Sequence, residues 1–128
     1  MKSHIINADK YSQKSIRELL DKVLFDIETS KLEDIKIACA EVVQNIVRHG
    51  YQFKSNQIIS IAIEKSMKII KIEFEDSAET CDSSLFINNE LVPGENGLMG
   101  IPIIKKLSKN FSIAPLPNGN LTTITFDL

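Results

Sequence analysis

The sequence predicts an α+β two-layer sandwich, in which about three helices cover one face of a mostly antiparallel, mixed sheet. Apolar residues recur at helical spacing in residues 11–27 and 31–50. From residue 59 to 75 they alternate with polar residues, as in strands that have one dry and one wet face. The resulting order is β-α-α-β-β-loop-α-β-β, and a length of 128 residues favours a single domain over residues 1–128.

The first half of the chain is predicted to hold a short strand followed by two helices. Asp9 or Ser12 is expected to cap the first helix, because short oxygen-bearing side chains satisfy free N–H groups at helix starts. Ser30 followed three residues later by Glu33 has the signature of a capping box, which would start the second helix. Gly50 is placed to end that helix.

The second half is predicted to be mainly strand. Residues 59–63 and 67–75 form a hairpin, and residues 76–97 form a long loop without a clear period. Loops of that length are uncommon, and ordered ones are often binding loops. A third helix over residues 101–107 and a closing hairpin over residues 111–128 complete the fold.

Composition and cysteine spacing disfavour several function classes. The net charge is −2, with 15 basic and 17 acidic side chains, which disfavours nucleic acid as a direct partner. Cys39 and Cys81 lack the spacing of metal ligands, and a reducing compartment is the simpler interpretation. No secretory leader and no apolar run of about 18 residues is visible, so we expect a cytoplasmic protein that does not cross a membrane.

The second helix carries a polar stripe beside its apolar face. Glu41 and Asn45 are four residues apart, and when the helix is projected at about 100° per residue Arg48 lies close to the same line. His49 falls on the core-facing side of Asn45. Polar groups at the margin of a core are costly unless they are paired or bind a ligand. Two interpretations stay open: a site with Asn45 as ligand of a hard cation and Glu41 as base, or a solvated flank whose cations suit the helix C-terminus.

Four segments, taken together, resemble a known family. Residues 41–50, Glu-Val-Val-Gln-Asn-Ile-Val-Arg-His-Gly, match the pattern Glu-x-x-x-Asn-x-x-x-His followed by a small residue. Three further segments come in the family's order: Asp76 after a hydrophobic strand, the glycines Gly94, Gly97 and Gly100 before the third helix, and residues 121–126 at the end. This arrangement is similar to the N-box, the two glycine boxes and the last strand of the anti-sigma-factor serine kinases, in the histidine-kinase-like ATPase superfamily.

The resemblance implies a Bergerat-type fold that binds ATP and Mg²⁺. Glu41 would then orient or deprotonate the attacking hydroxyl, Asn45 would ligate the Mg²⁺ that bridges the phosphates, and Asp76 would accept a hydrogen bond from the adenine amino group. The glycines would let backbone N–H groups approach the phosphates at a helix N-terminus. The other nucleotide-binding positions implied are His49, Ala78, Gly94, Gly97, Gly100 and Thr122.

The resemblance also implies a role in regulation. The chain would be a serine protein kinase and anti-sigma factor of a partner-switching system. It would phosphorylate an anti-anti-sigma partner of the STAS type and bind a sigma factor in alternation, and the resemblance suggests a homodimer. Ala78 and Thr80 stand where the family has the two glycines of its first glycine box. The alternative is therefore a non-catalytic binding module of the same fold that sequesters a sigma factor or another regulatory partner.

Overall fold

The described part of the chain forms an antiparallel sheet with helices on one side. The computed structural model describes residues 2–52, 54–78 and 100–128. The elements, in order, are β1 (Lys2–Asn7), α1 (Ser12–Val23), α2 (Thr29–Asn45), a π-helical turn (Ile46–Gly50), β2 (Ile58–Lys65), β3 (Ile69–Asp76), α3 (Gly100–Leu107), β4 (Asn110–Leu116) and β5 (Gly119–Asp127). The order of the helices and strands and the α+β class confirm the sequence prediction, whereas most of the predicted loop over residues 76–97 lies outside the described residues.

The five strands lie in the order β1-β2-β3-β5-β4, and each neighbouring pair is antiparallel. Strand β3 is central, and its alternation is the one that the sequence predicts. Ile70, Ile72 and Phe74 are fully buried on the face towards the helices, whereas Lys71 and Glu73 lie on the opposite face. The period of two therefore fixes which face of the sheet packs against the helices.

The core lies between this inner face and the three helices. Each large side chain that is fully buried there contributes about 1.5–3 kcal/mol by leaving water. The largest are Phe74, Phe126, Ile16, Leu20, Leu24, Ile35, Ile59, Ile61, Ile70, Ile72, Ile104 and Ile124. Cys39 is also fully buried, and burial raises the pKa of its thiol, so it is an inert core residue.

The helix starts differ from the predicted caps. Asp9 lies before α1, where its Oδ1 accepts a hydrogen bond from the N–H of Tyr11 at 2.8 Å. The first helical residue is nevertheless Ser12, and the capping position is Tyr11. The predicted capping box of α2 is wrong, because the helix begins at Thr29 and Ser30 lies inside its first turn. The Ser30 hydroxyl donates to the carboxylate of Glu28 instead of accepting a backbone N–H.

The second helix does not continue as an α-helix to Gly50. After Asn45 it widens into the π-helical turn, closed by the N–H of Tyr51, which donates to the carbonyl of Ile46 at 2.8 Å. Turns with i→i+5 hydrogen bonds are rare in proteins, and those that occur are often part of a functional site. Within the described residues, no helix has the length and apolar character needed to cross a membrane.

Candidate functional site

Helix α2 carries the two polar residues that the sequence singles out. Glu41 and Asn45 are both half-buried and are flanked by the buried residues Val42, Val43 and Ile46. The Nδ2 atom of Asn45 is buried and has no hydrogen-bond partner among the described residues. A buried donor without a partner costs about 1–3 kcal/mol, so this NH₂ group calls for a hydrogen-bond acceptor, such as an oxygen of a bound ligand.

Glu41 packs against the start of α3. A Cβ atom built on Gly100 would overlap the carboxylate of Glu41 and would lie 3.1 Å from the Glu41 Cβ. A side chain at this position would displace the Glu41 carboxylate, because α2 and α3 approach closely there. The contact joins Glu41 to the N-terminus of α3, where the helix dipole favours negative groups.

The π-helical turn changes the predicted position of Arg48 and His49. The projection at about 100° per residue assumes an α-helix, and α2 ends at Asn45. In the wider turn both residues are half-buried, but they do not continue the line of Glu41 and Asn45 at α-helical spacing. The α-helical projection therefore applies only as far as Asn45, and the position of Arg48 relative to the stripe stays a prediction.

Asp76 ends β3 and is buried, with 6% of its surface exposed. Its Oδ1 atom accepts two hydrogen bonds, from the backbone N–H of Ala78 at 3.0 Å and from Nδ2 of Asn120 at 3.2 Å. Burial raises the pKa of Asp76, the bonds from Asn120 and Ala78 oppose that rise, and the charge of Glu75 adds to it. The carboxylate is thus a partly satisfied acceptor in a dry environment.

Ala78 stands where the family has a glycine, and its methyl group fits. The side chain is buried, and a Cβ atom on Gly50 would lie 3.2 Å from that of Ala78. Because Gly50 has no side chain, the space is open to the extra methyl. The second substituted position, Thr80, lies outside the described residues, as do the predicted phosphate-binding positions Gly94 and Gly97.

Tyr51 connects the π-helical turn to the end of β3, a role that the sequence prediction missed. Its hydroxyl donates to the carbonyl of Ile58 and accepts the N–H of Ser77, both at 2.7 Å. The ring is buried, with 3% exposed. A tyrosine directly after a helix-ending glycine is only a weak sequence signal, because both partners are distant in the chain.

Gly119 and Asn120 are two further residues that the sequence prediction treats only as parts of a turn. Gly119 has φ +156°, and a Cβ there would overlap the backbone carbonyl of Asp76 and come within 3.0 Å of the Cα of Ser77. Asn120 pairs with Asp76 across β3 and β5. Their contact with Asp76 follows from the pairing register of β3 and β5, which the sequence does not show. Neither residue lies within a recognisable motif.

Thr122 is buried on the helix side of β5, two residues beyond Asn120 on the same face, and it pairs with Phe74. The described site residues therefore form two groups. Glu41 meets Gly100 where α2 packs on α3, and Asn45 lies one turn further along α2. Asp76, Ala78 and Thr122 lie at the end of β3 and on β5 beside it. The close approach of Gly50 to Ala78 joins the end of the helical segment to the strand end.

A separate groove lies at the other end of the sheet, by the β2–β3 turn. Its volume is about 650 Å³, and its described lining contains none of the predicted site residues. It is lined by Asp26, Ile27, Glu28, Lys31, Lys65, Ser66, Met67 and Leu128. Lys65 and Asp26 form an ion pair there, which lowers the pKa of Asp26. The groove does not belong to the candidate site.

The described residues thus combine a five-stranded antiparallel sheet, three α-helices on one face, and an acid–asparagine pair on α2. A family model of the histidine kinase-like ATPase domain matches residues 6–126. The chain belongs to this family, as the resemblance in the sequence predicts. A search of curated proteins found no match.

Solved structures share the fold. The chain is similar to the RsbU and RsbW domains of Rv1364c from Mycobacterium tuberculosis, with a TM-score of 0.65 and 19% identity over 98% of this chain, but it spans only 32% of that one. It is similar to the catalytic domain of histidine kinase ThkA, with a TM-score of 0.63, 13% identity, and 99% and 96% of the two chains covered. It is also similar to the histidine kinase domain from Erythrobacter litoralis EL346 blue-light activated histidine kinase, with a TM-score of 0.61, 14% identity, and 96% and 62% covered.

Proposed function

We propose that this chain binds Mg-ATP and is a serine protein kinase of a partner-switching system, acting as an anti-sigma factor. It would transfer the γ-phosphoryl group to an anti-anti-sigma partner of the STAS type. The observation that carries the proposal is the buried Nδ2 donor of Asn45, which has no described partner and lies one helical turn from Glu41. A phosphate oxygen of the nucleotide would accept from this donor, which leaves the carbonyl oxygen of the same side chain for the metal ion. The fold similarity to a chain that contains an RsbW domain supports the partner-switching part.

The side-chain oxygen of Asn45 is chemically suited to bind magnesium. Mg²⁺ prefers oxygen ligands and is usually held by one or two protein groups together with water and substrate phosphates. The carbonyl oxygen of Asn45 is such a ligand. The described residues contain no cluster of three or more Asp, Glu, His or Cys side chains that could hold a metal ion without a nucleotide. When bound, the ion would neutralise charge on the phosphates during transfer.

The residues of the chain have separate roles in this proposal. Glu41, half-buried against Gly100, would take the proton of the attacking serine hydroxyl or orient it. The N-terminus of α3 would favour the negative charge of phosphates. Asp76 would accept a hydrogen bond from the base, and His49, Ala78 and Thr122 would line the nucleotide.

Replacing Glu41 by glutamine tests the kinase proposal. Glu41→Gln keeps the shape of the side chain but removes its ability to accept a proton, so ATP binding should persist while phosphoryl transfer falls. General-base effects are on the order of 10²–10⁴-fold, and we expect the low end because phosphoryl transfer depends mainly on positioning and electrostatics. The assay follows labelled phosphate from ATP to a purified STAS-type partner.

Glu33→Gln is the matched control, because Glu33 is an exposed carboxylate on the same helix. It should transfer phosphate at the wild-type rate. If Glu41→Gln transfers phosphate as fast as wild type, Glu41 is not the general base of the reaction. Wild-type protein that holds the partner but neither binds ATP nor transfers phosphate would instead support the alternative, a sequestering module without catalytic activity.

A further inference from the structure

Asp76 and Asn120 form a buried pair at the end of the sheet. They lie opposite each other in the register of β3 and β5, with 6% and 4% of their surfaces exposed. Nδ2 of Asn120 donates to Oδ1 of Asp76 at 3.2 Å. Because an ionised carboxylate only accepts hydrogen bonds, the amide NH₂ has to be the group that faces it. The carboxylate therefore fixes the orientation of the amide.

The second hydrogen bond to this carboxylate reaches the same oxygen. The N–H of Ala78 also donates to Oδ1, and no described residue donates to Oδ2. A carboxylate that is held through one oxygen presents the other in a fixed direction. It then offers an acceptor, and no donor, to whatever lies beside it.

We propose that Asn120 is a positioning residue of the nucleotide site, which holds Oδ1 of Asp76 so that Oδ2 selects a base carrying an exocyclic amino group. The inference rests on the proposed nucleotide binding and adds to it a residue that belongs to none of the motifs of the resemblance. A purine with an amino group at its 6-position would donate to Oδ2. A purine with a carbonyl oxygen there would place two acceptors against each other.

The electrostatics of the pair support this role. Burial raises the pKa of Asp76, and the hydrogen bond from Asn120 is the strongest influence that lowers it. Without Asn120, burial would act with less opposition and the pKa would rise further. A protonated Asp76 can donate a hydrogen bond, so it would tolerate a carbonyl group on the base and lose its preference for an amino group.

The test compares Asn120→Leu with wild type, using calorimetric titration with Mg-ATP and with the magnesium salt of inosine triphosphate. The inosine nucleotide carries a carbonyl oxygen at the 6-position where ATP carries the amino group. We expect the variant to bind ATP about 10-fold more weakly, the scale of a hydrogen bond to a charged group, and to bind the inosine nucleotide with little change. The preference for ATP over the inosine nucleotide should therefore collapse.

Thr123→Val is the matched control, because Thr123 lies on the other face of the same strand and is half-buried. It should keep both affinities. Asn120→Ala serves as a second variant should urea denaturation show that Asn120→Leu does not fold. A purely structural role of Asn120 would weaken both nucleotides in proportion and leave their ratio unchanged.

The pH dependence of ATP binding gives a second readout. A higher pKa of Asp76 moves the onset of ATP binding to higher pH in the Asn120 variants than in wild type. The other ionisable groups nearby are Glu75, beside Asp76 in β3, and Tyr51 and His49 at the turn that packs on Ala78. They are the same in all variants, so a displacement between the profiles reports on Asp76.

Two results overturn different claims. If wild type binds Mg-ATP and the Asn120 variants keep its nucleotide ratio and pH profile, Asn120 is not a positioning residue, and the proposed nucleotide binding stands. If wild type binds neither nucleotide, the proposed function fails and this inference fails with it.

Discussion

Replacing Asp76 by asparagine distinguishes the contribution of this residue to nucleotide binding from its effect on the stability of the fold. Both hydrogen bonds that the chain gives to Asp76 reach Oδ1, from the N–H of Ala78 and the amide of Asn120. An asparagine side chain keeps an oxygen at that position and accepts both. Its NH₂ group then takes the place of Oδ2. The substitution therefore preserves the contacts within the chain and reverses the hydrogen-bonding character offered to a ligand.

Nucleotide affinity should fall for Asp76→Asn. The variant loses a hydrogen bond to a charged acceptor, worth about 1.5–3 kcal/mol, which corresponds to a loss of roughly 10- to 100-fold in affinity. Two donors facing each other would add to the loss. The assay is calorimetric titration with Mg-ATP at neutral pH, beside wild type.

Stability should change in the opposite direction. Because burial raises the pKa of Asp76, the folded chain holds the proton more firmly than the unfolded chain does. The free energy of unfolding of wild type thus falls as the pH rises from the unfolded pKa, about 3.9, through the raised folded pKa. Asp76→Asn lacks this loss, so it should be at least as stable as wild type at pH 7, and its advantage should shrink in acid.

Urea denaturation at a series of pH values measures the free energy of unfolding of both proteins. Asp76→Asn with wild-type affinity for ATP would refute the role of Asp76 in binding the base. A variant clearly less stable than wild type at pH 7 would refute the argument that burial of this charge is costly.

Two glycine substitutions test the close contacts around the site. Gly119→Ala should destabilise the fold by more than about 2 kcal/mol in urea denaturation, since its Cβ would overlap the backbone of Asp76 at a strained φ; a smaller loss would show that the strands separate easily there. Gly100→Ala should displace the Glu41 carboxylate and slow phosphoryl transfer more than it weakens ATP binding. Unchanged transfer, measured with the labelled-phosphate assay, would contradict the close packing of α2 on α3.

Local patterns in the sequence predicted most of the fold. The alternation of Ile70, Ile72 and Phe74 with charged residues identified the central strand and its buried face. The spacing of Glu41 and Asn45 identified two polar residues at the core margin of one helix. These predictions succeeded because both periods are properties of the backbone that survive packing.

Other features depend on contacts between distant parts of the chain. The Asp76–Asn120 pair exists because β3 and β5 pair in one register, which no local pattern encodes. The hydroxyl of Tyr51 bridges two segments in the same way. The capping box failed for a local reason instead: Ser30 has a carboxylate partner in Glu28, two residues away, and the helix starts one residue before Ser30.

The central claim is that Asn45 and its neighbours form a nucleotide site. Titration of the purified chain with ATP in the presence of Mg²⁺, followed by calorimetry, tests it most directly, with Asn45→Ala beside wild type and Gln44→Ala as the matched control on the same helix. We predict saturable binding to wild type and to Gln44→Ala, and a loss of the magnesium-dependent part of the affinity in Asn45→Ala. Wild-type protein that shows no saturable binding, or Asn45→Ala that binds Mg-ATP as tightly as wild type, would contradict the account.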